Sequence, residues 1–239
     1  MERTPSFAMD HLARAVTRWE PGLVSGSKAR EMFDADPEEW GVGDPLVVTA
    51  WRSETDRATA VRAVVRALAE AERWDDADRL LPGAMRMHAA QRELRYPGSS
   101  SFSYRSAGWA PVEKRGNLVP APGQRDAMAE LAVIAGRVAS QRRDPKTAVA
   151  RFRYAARTAS DAALRFEATA RLGDALATAG KLRTARRTWR SLDAVATELQ
   201  AAGRAIPPLP GREAAMTALE QQARAGRSAA LPGVGRGIG

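Results

Sequence analysis

Residues 172–189 read LGDALATAGKLRTARRTW. Leu172 and Leu176 on one side, and Ala185 and Trp189 on the other, repeat at four-residue spacing around an Ala-Gly-Lys turn. That is the pattern of two amphipathic helices joined as a hairpin. Gly173 falls inside the first helix, where glycine costs about 1 kcal/mol relative to alanine. Paired with a small residue, Ala185, on the facing helix, it lets the two axes approach closely, and Trp189 then fills the groove to the next helix.

The arrangement recurs 37 residues upstream, where Gly136 matches Gly173, Ala148 matches Ala185 and Phe152 matches Trp189. A third copy aligns Val65, Leu68, Ala77, Leu81 and Ala84, without the glycine. With Leu172-Gly173, Leu176, Gly180, Ala185 and Trp189 in one copy and Gly136, Ala148, Phe152 and Ala155 in the other, the pattern resembles the tetratricopeptide repeat. Its 37-residue period is longer than the roughly 34 residues usual there. The resemblance implies stacked helical hairpins that bind other proteins on a concave surface, closed by a polar-faced terminal helix. The expected fold is therefore all-α: helical hairpin repeats in a tetratricopeptide-like solenoid or an irregular helical bundle, with long loops.

Outward from the repeat, periodicity predicts helices over about 124–141, 145–158, 161–179 and 182–203, and a last one over 212–225. Upstream, Phe7 to Trp19 reads as a helix with Phe7, His11 or Leu12, Ala15 and Trp19 on one face. Ser27 to Phe33 reads as a short one. LVVTAW (46–51) is strand-like but lacks an evident partner, so it leads into the next helix, which Thr55 caps. WDDADRLL (74–81) opens another helix, which Pro82 kinks or restarts and which continues to about Leu94. Five segments follow: an acidic one over 1–50, a helical hairpin over 51–95, a Gly/Ser/Pro-rich loop over 96–123, the repeat body with its capping helix over 124–226, and a flexible tail over 227–239. Three aromatics, Phe102, Tyr104 and Trp109, mark the 96–123 loop as one that packs across a surface.

Across the 239 residues, hydrophobic side chains make up 44% and charged ones 27%, ordinary values for a globular protein. Cysteine is absent, which excludes disulfides, thiolate catalysis and cysteine-bound zinc. No apolar run reaches the roughly 18 residues of a membrane span, and the first residues lack a signal peptide's apolar stretch. A cytoplasmic location, or one within an assembled particle, is expected. Net charge is +9, spread unevenly: residues 1–50 carry 5 basic and 9 acidic side chains, whereas 151–200 carry 10 and 5. Basic charge is nearly all arginine, with lysine only at 28, 114, 146 and 181, a bias that GC-rich coding also produces.

Motifs for chemistry are missing. His11 and His88 are the only histidines and neither has a ligand-type neighbour one turn away. No nucleophile elbow, phosphate-binding loop or metalloprotease motif occurs, and GVGRGIG (233–239) has no strand before it. Asp34, Asp36, Glu38 and Glu39 begin like a calcium loop, but Pro37 interrupts them and no glycine or closing glutamate follows. An acidic turn pinned by Trp40 is the expectation. No catalytic residue, cofactor, metal or small-molecule substrate is therefore expected, and the chain reads as a non-enzyme. Its partners are other protein chains, through self-association or a larger complex. Arg151, Arg153, Arg157, Arg183, Arg186, Arg187 and Arg190 lie on helix faces that suit an acidic protein or, alternatively, a phosphate backbone, with Phe102, Tyr104 and Trp109 available to stack.

Overall fold

A computed structural model of the chain describes residues 5–18, 37–54, 57–95, 103–106, 117–120 and 123–206. The described residues form nine α-helices: α1 (Pro5–Arg18), α2 (Pro45–Arg52), α3 (Arg57–Glu70), α4 (Trp74–Ala90), α5 (Gln124–Gln141), α6 (Pro145–Thr158), α7 (Ala162–Thr178), α8 (Leu182–Arg190) and α9 (Leu192–Ala201). A single 3-10 turn, Pro37–Trp40, precedes α2. The fold is thus all-α in its packed body. Aspartates start three helices as the sequence chemistry requires. Asp44 accepts from the Leu46 N–H at 3.0 Å, Asp144 from Thr147 at 3.0 Å and Asp161 from Leu164 at 2.9 Å. Proline follows the first two at N1, where its missing N–H costs nothing.

The hairpins share one turn. The N–H groups of Arg73, Asp144 and Lys181 donate to the carbonyls of Leu68, Ala139 and Leu176, five residues back, at 2.8, 2.9 and 2.8 Å. Between them Glu72, Arg143 and Gly180 take left-handed conformations, the Schellman ending of a helix. Arg143 and Gly180 stand 37 residues apart, the spacing of the sequence repeat. Glycine is therefore not what the turn demands; two of the three hairpins make it with a side chain present.

The interior glycines are a different matter. A Cβ on Gly136 would sit 2.5 Å from Phe152 Cε1, and one on Gly173 would overlap the Trp189 indole. Gly83 of α4 stands in the same relation to Val16 of α1. In the third hairpin Val65 and Leu81, both buried, occupy the places held elsewhere by glycine and an aromatic. Two middle-sized side chains there fill what a very small and a very large one fill in the other copies.

Two cores result, and α5 serves both. Its Leu131, Ile134 and Val138 join Met9, Leu12, Val16, Trp51, Leu68, Leu80 and Met87. Its Ala129, Ala132 and Val133 join Phe152, Phe166, Leu176, Trp189, Leu192 and Leu199. A helix apolar on both sides has to be buried on both.

Several expectations change. LVVTAW is helical, within α2, and the boundary expected at residue 50 cuts through that helix. Likewise the boundary at 124 separates nothing, because α5 belongs to both cores. Residues near the N-terminus are not a mere contact segment: Met9, Leu12, Ala15 and Val16 are buried, whereas His11 is exposed. Phe7's side chain, Trp19 and the segment 27–33 lie outside what is described. The α4 helix runs through Pro82, which lies on its exposed side, and stops at Ala90.

From there Gln91–Arg95 (β1) pairs antiparallel with Ser103–Ser106 (β2) and Asn117–Pro120 (β3), in the order β2-β1-β3. The segment expected as a loop over 96–123 thus supplies two strands of a small sheet. At four residues each they are too short for alternation to show. The helix expected over 182–203 breaks at Ser191, whose hydroxyl donates to the Thr188 carbonyl at 2.6 Å while its N–H is shared by Arg187 and Thr188. Such back-bonding bends a helix, and here it lets Trp189, Leu192 and Leu199 all face inward. Residues 212–239, including the expected capping helix, lie outside what is described.

Two outcomes check this packing. Gly173→Ala should cost about 1–3 kcal/mol, as an overpacked core site does, and the penalty should shrink in a Trp189→Phe background; additive urea midpoints would contradict the interlock. Asp161 is held ionised by Arg204 and by the Leu164 N–H, so its carboxyl lies below the usual range. Its contribution is therefore present at neutral pH and lost on acidification. Asp161→Ala should cost about 1 kcal/mol in such melts, as the loss of an N-cap does, with the difference narrowing as pH falls.

Candidate functional site

With Ala148, Phe152 and Ala155 turned into the core, α6 carries Arg151, Arg153 and Arg157 outward. With Ala185 and Trp189 buried, α8 presents Arg183, Arg187 and Arg190 to solvent and leaves Arg186 half-buried. Neither helix contains an acidic residue, and α7 packs between them. Among the described residues none of these seven arginines forms an ion pair. Several guanidiniums elsewhere are paired: Arg73 bonds Asp44 and Asp76, Arg142 reaches Asp75 and Asp78 at 3.1 and 2.5 Å, Arg165 bonds Glu198, and Arg204 reaches Asp161 at 2.5 Å.

Of the other expected contact residues, Tyr104 lies on β2, an edge strand, in register with Glu93, while Phe102 and Trp109 fall outside the described residues. His88 is buried, its Nε2 2.9 Å from the Ala58 carbonyl, and its own carbonyl accepts from Gln124 at 2.6 Å. Packing accounts for it. Glu38 pairs with Arg52 at 3.0 Å, and Trp40 meets Trp51 edge-on with centroids 5.5 Å apart, so the tryptophan does pin the acidic turn. Asp34 and Asp36 lie outside the described residues, and among those described no three His, Asp or Glu side chains gather as metal ligands would. No described helix is long and apolar enough to cross a membrane.

A cleft of about 660 Å³ opens where the α5–α6 hairpin meets α7 and the start of α4. Arg137, Arg143, Arg171, Trp74, Phe152 and Asp174 define it. The Arg137 guanidinium lies 4.8 Å from the centre of the Trp74 ring, a cation–π contact. Partial burial, and then the positive charge of Arg171, push the Arg137 pKa down. Arg171 itself bonds Glu167 at 2.8 Å. Burial pushes the Asp174 carboxyl up, against the opposing pull of a hydrogen bond from Trp189 and of Arg171. Sequence reading did not single out this cleft. Its one trace is that Arg137 and Asp174 are equivalent positions, each following a repeat glycine, so the charge inverts between copies.

Comparison with protein-family models, with curated proteins and with solved structures finds no match to this chain.

Because Asp174 binds its proton more tightly folded than unfolded, wild-type stability should fall as pH rises through its raised range. Asp174→Asn keeps an acceptor for Trp189 and should melt higher than wild type at neutral pH, with the two converging on acidification. A constant offset across pH would show that the carboxylate is not desolvated.

Proposed function

We propose that the chain is a non-enzymatic interaction scaffold, built on tetratricopeptide-like hairpins and serving as an adaptor or structural subunit of a larger assembly. One observation carries it. Seven arginines on α6 and α8, the helices on either side of α7, form no ion pair among the described residues, whereas Arg73, Arg142, Arg165 and Arg204 are all paired with carboxylates. Cations held on rigid helices and not used internally are suited to an intermolecular contact, where they set orientation and association rate. The recurring turn and the two glycine–aromatic interlocks support the repeat reading, since they place equal hairpins 37 residues apart. The cytoplasm, or the interior of an assembled particle, is the setting this reading implies.

A second reading is favoured by one feature of the same face. Across α6 and α8 there is no acidic side chain to repel a phosphate backbone, so a nucleic acid would meet Arg151, Arg153, Arg157, Arg183, Arg186, Arg187 and Arg190 without a like charge on those helices. In this reading the chain is a structural component of a ribonucleoprotein or virion.

Charge reversal separates them. Wild type and an Arg183→Glu/Arg187→Glu/Arg190→Glu variant are compared by affinity capture from lysate, with and without nuclease. Partners lost from the variant but kept after nuclease support the scaffold; an identical partner set from both proteins overturns the role of the face. For nucleic acid, filter binding should weaken steeply with salt and the variant should lower the slope. Retention insensitive to ionic strength overturns that reading.

A further inference from the structure

The cleft beside Trp74 is a separate place from the arginine face and has the features of a small-ligand site. Its volume, about 660 Å³, falls within the range of small-molecule pockets, and apolar and polar groups share its walls. Three guanidiniums line it, from α5, the α5–α6 turn and α7. Arg137 is fixed against the Trp74 ring and forms no ion pair among the described residues. Arg171 is oriented by Glu167 at 2.8 Å and is close enough to disfavour the charge on Arg137. Glu167, Glu70 and Glu72 offset part of that repulsion, and an anion joining the two guanidiniums would offset more of it.

We propose that this cleft binds a phosphate monoester carried on an apolar or aromatic body, with Arg137 and Arg171 gripping the phosphate and Arg143 at the rim. The chemistry chooses among oxyanions. A carboxylate has two oxygens and satisfies one guanidinium fork; a phosphate monoester has three acceptor oxygens and close to two charges, enough to bridge two forks. Trp74, already bearing a cation on its ring, gives the organic part of the ligand an aromatic wall beside the phosphate. Asp174 and Glu72 work against the anion, because both line the same cleft, and neutralising Asp174 strengthens binding.

Isothermal calorimetry of the full chain tests the assignment with phenyl phosphate as probe, and with inorganic phosphate and benzoate as comparisons. Phenyl phosphate should saturate one site. Inorganic phosphate should compete for that site more weakly, and benzoate should bind about tenfold less tightly, the loss of one charge-assisted contact. Arg171→Gln and Arg137→Gln should each weaken phenyl phosphate about tenfold on the same reasoning. Asp174→Asn should tighten it several-fold. Arg183→Glu/Arg187→Glu on the outer face should leave it unchanged. Thermal melts identify any effect of Arg137→Gln that comes from losing the Trp74 contact, and Arg171→Gln, which leaves that contact in place, decides the matter. The proposal is overturned by any of four results: no saturation into the millimolar range, equal binding of benzoate, full binding by the Arg137→Gln/Arg171→Gln double variant, or an equal loss in the outer-face variant.

Discussion

The contact between a helix-interior glycine and an aromatic ring on the next helix is what the rest of this structure depends on. At Gly136 and Gly173 the missing side chain is the space that Phe152 and Trp189 occupy. A ring lying on bare backbone brings the paired helices close along their length, so alanines such as Ala132, Ala148, Ala155 and Ala185 suffice to fill the interface. That is how so alanine-rich a segment assembles a dense core from little apolar volume. The break at Ser191 is part of the same solution, since it turns Leu192 and Leu199 inward behind Trp189.

From this close packing follows the double role of α5. Its neighbours on either side approach near enough that both of its faces are buried, one among side chains of α1 to α4 and the other among those of α6 to α9. The N-terminal helices are therefore continuous with the repeat hairpins through a shared wall. Charge is sorted by the same geometry. Arg142 and Arg165 lie where neighbouring elements supply carboxylates, whereas α6 and α8 have no acids of their own. Where three helix ends meet, Arg137, Arg171 and Asp174 are gathered into a cleft that no single hairpin contains.

Local features were the legible ones. The inward placement of Phe152 and Trp189 and the pinning of Trp40 depend on residues within a few turns or on one apolar face. Features decided by distant neighbours were not. LVVTAW looks like a strand because Val47, Val48 and Trp51 are buried, yet Asp44 and Pro45 start a helix there whose packing against α3 rewards it. The strands over 103–106 and 117–120 exist only as partners for 91–95, so no periodicity of their own announces them.

The sequence by itself determined the helical period, the hairpin spacing of 37 residues, the small residues at Gly173 and Ala185 with a large one at Trp189, and the arginine rows of 151–157 and 183–190. All of these are set by side-chain size and charge along one helix or one turn. Only the tertiary structure decided that α5 is shared by two cores, that among the described residues the arginines of α6 and α8 go without carboxylates while Arg142 and Arg165 do not, and that Arg137 and Arg171 line one cleft beside Trp74. Those are properties of how helices stack, and stacking brings together residues whose separation along the chain carries no signal of their proximity.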